Sequence, residues 1–511
     1  SSHFGSILAQ ELLSLLTVVS ARLSMVSSPA TPLLTHDDMT ESTCTGGSSS
    51  VRIGTSRMRW WVLATFSLLV LLQSVDLNFY GPISDQIEDV KEWSMPEIAW
   101  LANTVNIIQL LLLLPSTLLI DRKGLRAPTL ASALFLFCAA ASRCMPGMPA
   151  HSGLVSDYVM GLFSMLCNGI AGIWFLYGGC VISATWFPAS ERCLATALMT
   201  VASQLGTSIG FIVEPLVVPQ GPGAAAGLQR LSLGEVAVCG VLVAAVAVHF
   251  PDRPAIPPSL SVAEVDGARP RASVKDWCRL GVAIAVSAVP TGVYFAWIPM
   301  LTLNLSGFGI SEWEATRIGC CMAFVGALGG VAFGRLSDRL PGRLKELVLL
   351  CLACTAMGFA WFALVVNRAL PGGVAALRAS SMIGGFFMNA VCCLGYEFAV
   401  EIGYPSIPEP QAAGVLSFVN TVAEIVFLCL SPDTPASSAW MNWLIVVSSA
   451  CMLPVLAAFP ARYPRLELDG VAAVDEATED LAATERQGQR HSGLLEPAVV
   501  LQGGITKRQL S

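Results

Sequence analysis

Asp121–Arg126 reads DRKGLR, and Gly330–Arg343 reads GVAFGRLSDRLPGR with Asp338-Arg339 at its centre. Each stretch follows a long apolar run and closes the second hydrophobic segment in a set of six. A charged turn between two helices is common, because such a turn is in contact with water. Two copies at equivalent positions are much less common, and they indicate that the chain consists of two six-segment halves.

The composition is that of an integral membrane protein. Of the 511 residues, 54% are hydrophobic and only 13% are charged, whereas soluble domains contain roughly 25% charged residues. The 16 cysteines lie mostly in apolar segments, which is typical of small buried side chains rather than of disulfides. The sequence has no spacing typical of a metal, haem, nucleotide or catalytic-triad site, so we expect neither a cofactor nor an enzyme.

Crossing a bilayer requires about 20 predominantly apolar residues per helix. The sequence contains twelve such segments, at residues 60–80, 97–119, 127–145, 155–182, 193–217, 233–250, 277–302, 314–336, 347–366, 376–402, 412–431 and 439–459. We therefore predict an all-α membrane protein with twelve transmembrane helices in two six-helix halves.

The segments between and outside these helices define the predicted domains. They are a cytosolic N-terminal tail (1–58), a first half (59–250), a cytosolic linker (251–276), a second half (277–460) and a cytosolic C-terminal tail (461–511). Both tails are polar and are expected to be disordered. Five prolines in the linker are expected to keep it non-helical.

The basic residues of the short loops predict the orientation of the helices. Most of them lie on the side of the two charged turns, whereas the other side has only Lys91, Arg143, Arg230, Arg317, Arg368 and Arg378. Because cytosolic loops are enriched in lysine and arginine, we predict that the charged turns and both chain ends are cytosolic.

Polar residues inside the predicted helices form stripes. An acid at mid-membrane costs roughly 2.5–3.5 kcal/mol on insertion scales, so its presence needs a reason. In the first helix, Gln73, Asp76 and Tyr80 share one face, with Asn78 nearby. The stripe predicts a hydrated cavity where a substrate or a proton binds. Asp76 is the first candidate for proton exchange.

Two further stripes lie on the fifth and eleventh predicted helices. They contain Gln204 and Glu214, and Asn420, Thr421 and Glu424. Of the acids, Glu424 is the second candidate for proton exchange and Glu214 the third. The alternative is that these side chains only join neighbouring helices by hydrogen bonds.

The seventh predicted helix combines prolines with aromatic residues. Pro290 and Pro299 weaken its backbone hydrogen bonding, as in transporter helices that bend around a site. Tyr294, Phe295 and Trp297 would offer a substrate an aromatic surface there. Simple packing of these aromatic residues is an equally open alternative.

The two charged turns within a twelve-helix pattern resemble the signature loops of major facilitator transporters. Other stretches resemble the solute carrier 49 family, namely Arg59-Trp60-Trp61, Trp186–Arg192, Pro215–Pro219, Glu397, Glu401, Tyr404-Pro405 and Pro408-Glu409. The chain is most similar to the member 4 branch of that family, through Asn78 with Gly81-Pro82-Ile83, Phe250–Ser259 and Trp440–Trp443. Together these similarities cover residues 59–465.

The resemblance implies the major facilitator fold and a lysosomal, proton-coupled transporter of a small metabolite, such as a pyridoxine-like vitamin. The sister branch, the feline leukaemia virus receptor-related proteins, is associated with choline, ethanolamine and haem. Gln204 matches a glutamine of that branch's pocket, but Leu77, Phe295 and Thr421 replace its tryptophan, tyrosine and glutamine. The three candidate acids depart from both branches.

The resemblance also implies gating roles for the charged turns, which would pair with neighbouring helix ends and bias the two transport states. The gating candidates are Asp121, Arg122, Arg126, Arg335, Asp338 and Arg339. The alternative is that these residues only determine topology.

The activity and the cellular location each remain open at the level of sequence. A choline, ethanolamine or haem transporter, or a substrate sensor that transports nothing, is compatible with the same fold. The expected partners are a small molecule, protons and the lipid bilayer, but not nucleic acid, and the protein is expected to be a monomer. Pro32-Leu33-Leu34 resembles a dileucine sorting signal and favours the lysosomal membrane, with the plasma membrane as the alternative.

Overall fold

The computed structural model describes residues 41–44, 51–144, 157–264, 270–306, 308–430 and 439–470, most of which are helical. A two-stranded antiparallel hairpin, β1 (Glu41–Cys44) and β2 (Val51–Gly54), precedes the first helix. The first half contains α1 (Met58–Leu77), α2 (Ser84–Lys91), α3 (Met95–Lys123), α4 (Arg126–Cys144), α5 (Asp157–Trp186), α6 (Arg192–Val217) and α7 (Ala224–Val248). After the linker helix α8 (Leu260–Glu264), the second half contains α9 (Val274–Trp297), α10 (Leu301–Ser306), α11 (Glu312–Arg339), α12 (Leu344–Val366), α13 (Val374–Gly403), α14 (Glu409–Cys429) and α15 (Ala439–Ala458).

Twelve of these helices form the membrane bundle. Eleven helices in the described ranges are long and apolar enough to cross a membrane. The twelfth is α3, a helix of 29 residues whose apolar stretch Asn103–Leu119 is shorter. The predicted twelve-helix membrane fold is thereby confirmed.

The two charged turns have equivalent backbones. α3 and α11 end in loops that reverse at Gly124, with φ of 73°, and at Gly342, with φ of 81°. This left-handed region is accessible to glycine at little cost. A Cβ atom on Gly124 would also lie 2.6 Å from Oδ1 of Asp252. We call the side of the bundle that carries both loops the charged-loop face.

Close helix contacts depend on small residues. Gly330 and Gly334 of α11 face α6 of the other half, and a Cβ atom on Gly334 would lie 2.8 Å from Cβ of Ala197. Such small residues allow helix backbones to approach within the membrane. The second half has its own aromatic core, in which Trp297 packs edge-to-face on Phe359 and Phe362.

The structure differs from the sequence-based expectations at several places. The hairpin of β1 and β2 lies in the N-terminal tail that was expected to be disordered, and α8 lies in the linker that was expected to be non-helical. α7 begins at Ala224 rather than near residue 233, because the polar residues Gln229 and Arg230 lie on its exposed face. Glu235 therefore lies inside the helix instead of at its start. Residues 464–470 are helical, although a disordered tail was expected from residue 461. The remainder of that tail lies outside the described residues.

Candidate functional site

The polar stripe of α1 faces α5 within the first half. Nε2 of Gln73 donates a hydrogen bond to Oδ1 of Asn168 at 3.0 Å, and Nδ2 of Asn168 donates to Asp76. All three side chains are buried. Gln73 and Asp76 therefore lie on one face of α1, as predicted, and that face contacts another helix, α5.

A buried charge cluster surrounds Asp76. Nη2 of Arg143 on α4 forms ion pairs with Asp76 and, at 2.6 Å, with Oε2 of Glu235 on α7. Nη1 of Arg143 donates to Oγ of Ser164 at 2.9 Å, and its guanidinium lies 4.2 Å from the ring centroid of Phe79. We call Asp76, Arg143 and Glu235 the Arg143 cluster.

The Arg143 cluster changes the interpretation of Asp76. The sequence suggested an isolated carboxylate in a cavity, whereas the structure pairs it with an arginine that was assigned to a loop. Glu235 was not a candidate either. An acid inside a predicted helix and an arginine one residue before the end of α4 were signals that each residue needed a partner, because intramembrane charges seldom remain unpaired.

Glu214 lies beside this cluster without a direct partner. Its side chain is fully buried on α6, and neither carboxylate oxygen accepts a hydrogen bond in the described part of the chain. The carboxylate interacts electrostatically with Arg143, Asp76 and Glu235. Asp76 and Glu235 thus share a single guanidinium and Glu214 adds a third acid, so full ionisation would leave an excess negative charge in a low-dielectric region.

The remaining candidates of the first half lie near one end of α1. Asn78 caps α1, and its Nδ2 donates to the carbonyl oxygen of Ser74 at 2.8 Å and to Oγ1 of Thr207 at 3.4 Å. Tyr80 lies beyond the helix, is buried, and packs against Trp93 with ring centroids 5.8 Å apart. Gln204 is half-buried on α6.

In the second half, α9 and α14 approach closely at Gly292. A Cβ atom on Gly292 would contact the carbonyl oxygen of Asn420 and lie 3.2 Å from the backbone nitrogen of Glu424. Oδ1 of Asn420 accepts a hydrogen bond from Oγ1 of Thr291 at 2.8 Å, and Thr421 is buried.

Glu424 is the acid of this region. Its side chain is half-buried, and within the described ranges no hydrogen bond or ion pair involves its carboxylate. Of the three candidate acids, Asp76 is paired with Arg143, whereas Glu214 and Glu424 have no direct partner among the described residues.

The aromatic residues of α9 have different environments. Tyr294 and Trp297 are fully buried; the Tyr294 hydroxyl accepts from Nδ2 of Asn389 at 3.3 Å, and Nε1 of Trp297 donates to Oδ1 of Asn442 at 2.9 Å. Both residues belong to the core of the second half. Only Phe295 is partly exposed, so the packing alternative holds for the other two.

Asp338 joins the two halves at the charged-loop face. Its Oδ1 accepts from the backbone N–H of Cys193 at 3.0 Å, and its Oδ2 accepts from that of Leu194 at 2.9 Å. These N–H groups belong to the first turn of α6, where the helix dipole favours a carboxylate. Asp338 of the second half therefore caps a helix of the first half.

Further hydrogen bonds join the two halves on the same side of the bundle. Oε1 of Glu397 on α13 accepts from Oγ1 of Thr196 at 2.6 Å and from Oγ of Ser183 at 3.1 Å. The Tyr396 hydroxyl donates to the carbonyl oxygen of Leu176 at 2.9 Å. Glu397 was not a gating candidate, although an acid deep inside a predicted helix was a signal. These bonds hold the halves together at the charged-loop face.

Among the other gating candidates, Arg126 bonds to residues that precede the second half. The backbone N–H of Arg126 donates to Oδ1 of Asp252 at 2.7 Å, and its Nη2 donates to the carbonyl oxygen of Ala247 at 2.8 Å. Arg335 and Arg339 are exposed. The side chains of Asp121 and Arg122 lie outside the described residues.

Comparison with known proteins identifies the family. The sequence profile of the Major Facilitator Superfamily matches residues 58–432. The chain is also 30% identical over 451 residues to the Xenopus laevis protein named solute carrier family 49 member 4 homolog, a match that covers 84% of this chain and 96% of that protein. The chain belongs to the solute carrier 49 family of major facilitators.

More distant relatives agree with this assignment. The solute carrier 49 protein is 28% identical over 400 residues to the mouse (Mus musculus) choline/ethanolamine transporter FLVCR1, covering 73% of this chain and 69% of that protein. Among solved structures, the proton:xylose symporter XylE matches with a TM-score of 0.63 at 13% identity, covering 80% of this chain and 98% of that one. FucP in the outward conformation matches with a TM-score of 0.60 at 12% identity, covering 80% and 100%.

The family assignment defines the general activity. This solute carrier 49 protein is a multi-pass membrane transporter of a small molecule and not an enzyme. The predicted family and its member 4 branch are thereby confirmed.

Proposed function

We propose that the protein is a proton-coupled secondary transporter that moves a small organic metabolite by alternating access. The observation that carries the proposal is the half-buried carboxylate of Glu424, which has no polar partner among the described residues. An acid held within a membrane helix is costly unless it binds something. A proton and a cationic group of a substrate are the two ligands that can neutralise it.

The first half supports the proposal independently. There, Asp76 and Glu235 share one arginine and Glu214 adds a third acid, so this region can accept a proton without leaving a buried positive charge uncompensated. Each half therefore contains a carboxylate that a proton or a cation can neutralise.

The substrate we propose is a compact metabolite with a protonatable nitrogen, such as a pyridoxine-like vitamin. An acid without a partner attracts a basic nitrogen. A quaternary ammonium compound would favour an aromatic cage, but of the α9 aromatic residues only Phe295 is partly exposed. Choline, which appears in the name of the FLVCR1 relatives, is therefore a second candidate. Ethanolamine appears in the same name; its protonatable amine suits the acid, and it is the other second candidate.

We propose the lysosomal membrane as the location, with the charged-loop face towards the cytosol. An acidic lumen would then supply the protons. The motif Pro32-Leu33-Leu34 that favours this location lies outside the described residues. Replacing Leu33 and Leu34 by alanine should move the protein to the cell surface, which fluorescence microscopy would show.

Flux measurements in proteoliposomes test the transport proposal. With radiolabelled pyridoxine, an inward proton gradient should accelerate uptake by the wild-type protein. Glu424→Gln should reduce this gradient-driven uptake by about tenfold or more, because the amide cannot exchange a proton. Exchange of internal for external pyridoxine without a gradient should persist. Glu88→Gln, at an exposed position on α2, is the matched control and should behave like the wild type.

Four outcomes would contradict parts of the proposal. A wild-type response to the gradient in Glu424→Gln would remove the coupling role of that acid, and the same response in Asp76→Asn would remove that of the Arg143 cluster. Binding of pyridoxine, choline or ethanolamine without any flux would favour a sensor. Flux of choline in preference to pyridoxine would replace the substrate proposed here.

A further inference from the structure

We propose that residues 460–470, which follow the last membrane helix, act as a clasp that holds the charged-loop face closed and must be released during each transport cycle. We call this segment the C-terminal clasp. It is a conformational device additional to the two signature loops, and it does not depend on the identity of the substrate or on proton coupling.

The C-terminal clasp is attached to the second half. The backbone N–H of Lys345 donates to the hydroxyl of Tyr463 at 2.9 Å, and that of Leu466 donates to Oε1 of Glu401 at 2.9 Å. Burial raises the pKa of Tyr463 to about 12, so the hydroxyl is uncharged at physiological pH. Because the segment is also covalently continuous with α15, it moves with the second half.

Two side chains of the clasp reach the first half. Arg465 is almost completely buried, with 2% of its surface exposed, and its Nη2 donates to the carbonyl oxygen of Ala184 near the end of α5 at 3.2 Å. Asp469 forms an ion pair with Arg192, at the start of α6, with Oδ2 and Nη1 2.8 Å apart. Both side chains of this pair are 5% exposed.

The clasp also holds the linker between the halves. Oδ1 of Asp469 accepts from the backbone N–H of Ser261 at 2.9 Å, and its Oδ2 accepts from the hydroxyl of Ser261 at 3.0 Å. Nη2 of Arg192 donates to Oγ of Ser259 at 2.6 Å. A single aspartate thus joins α6, the linker and the end of the second half.

Opening of the charged-loop face must break these bonds. When the halves rock apart, Ala184 and Arg192 move away from the clasp, since they belong to the first half. The buried ion pair is then exposed to water, and Arg465 loses its acceptor. Breaking a buried pair costs more than breaking an exposed one, because low dielectric strengthens the attraction. The clasp therefore favours the closed state of this face.

The proposal is tested by the accessibility of Cys193, which lies in the closed interface beside Asp338. The full-length protein in membrane vesicles with the charged-loop face outward is treated with maleimide, and labelling is quantified for each cysteine peptide by mass spectrometry. Asp469→Asn should increase the labelling rate of Cys193 by about tenfold, because the open state gains population. Glu467→Gln, at an exposed position of the same segment, should leave it unchanged.

The test includes a control cysteine and a second variant. Cys351 is fully buried in the core of the second half, so its labelling reports unfolding rather than opening. Ser261→Ala removes one hydrogen bond of Asp469 without leaving a buried charge unpaired, and it should raise Cys193 labelling by a smaller factor. Wild-type labelling of Cys193 in both variants, with Cys351 protected, would overturn the proposal.

Discussion

Arg143→Met is expected to yield very little folded protein. Removing the guanidinium leaves Asp76 and Glu235 facing each other in the membrane interior, and both are almost fully buried. Breaking a buried ion pair by removing one partner costs about 3–5 kcal/mol, which is a large fraction of the free energy of unfolding of a typical domain. Expression yield and the thermal unfolding of the detergent-solubilised protein measure the effect.

A compensated variant separates charge from shape in this experiment. Combining Arg143→Met with Asp76→Asn and Glu235→Gln removes the two buried charges, so most of the lost stability should return, although such a variant should lose the contribution of this cluster to proton coupling. Arg230→Met is the matched control, because Arg230 lies exposed on α7. A single Arg143→Met variant as stable as this control would show that the Arg143 cluster does not support the fold.

Asp338→Ala is expected to open the charged-loop face. The carboxylate accepts two backbone hydrogen bonds from the first turn of α6, and hydrogen bonds to charged groups contribute about 1.5–3 kcal/mol each. Losing them should increase the ratio of open to closed molecules by at least about tenfold. Spin labels at residues 190 and 343, exposed on opposite halves, would report longer distances in a background without reactive cysteines.

The control for this experiment uses a linker carboxylate that accepts a hydrogen bond from the start of α4. Asp252 accepts from the backbone N–H of Arg126 at 2.7 Å, but both residues precede the second half. Asp252→Ala should therefore leave the distance between the labels unchanged. An identical distance distribution in Asp338→Ala and the wild type would show that Asp338 does not hold the face closed and only determines topology.

The helix count and the two-half architecture could be predicted from the sequence, because the length of an apolar segment and the charge of a loop are local properties. The twelve helices and the repeated loops followed from runs of apolar residues and two glycine-containing turns. The partners of Asp76 did not follow, because Arg143 is 67 residues away along the chain. Periodicity indicates which residues of a helix share a face, but it does not indicate which helix lies opposite.

The contacts between the two halves at the charged-loop face also could not be predicted from the sequence. Glu397 meets Thr196 across 201 residues of sequence, and Arg192 meets Asp469 across 277. Polar composition made the segment after α15 resemble a solvated tail. Arg465 is fully buried, which shows that the polar residues of this segment instead form an interface with the first half. A short polar helix and a disordered tail have similar sequences, and only packing against Ala184 and Arg192 distinguishes them.

The Arg143 cluster also constrains how the protein is made. As the ribosome delivers the helices in order, α4 enters the membrane with an arginine whose second partner, Glu235, emerges 92 residues later. Until α7 arrives, Arg143 can pair only with Asp76, and Glu235 then has to join a pair that already exists. The first half is therefore complete only when its last helix has been inserted, so nascent chains that stop before α7 should be preferred targets of membrane quality control.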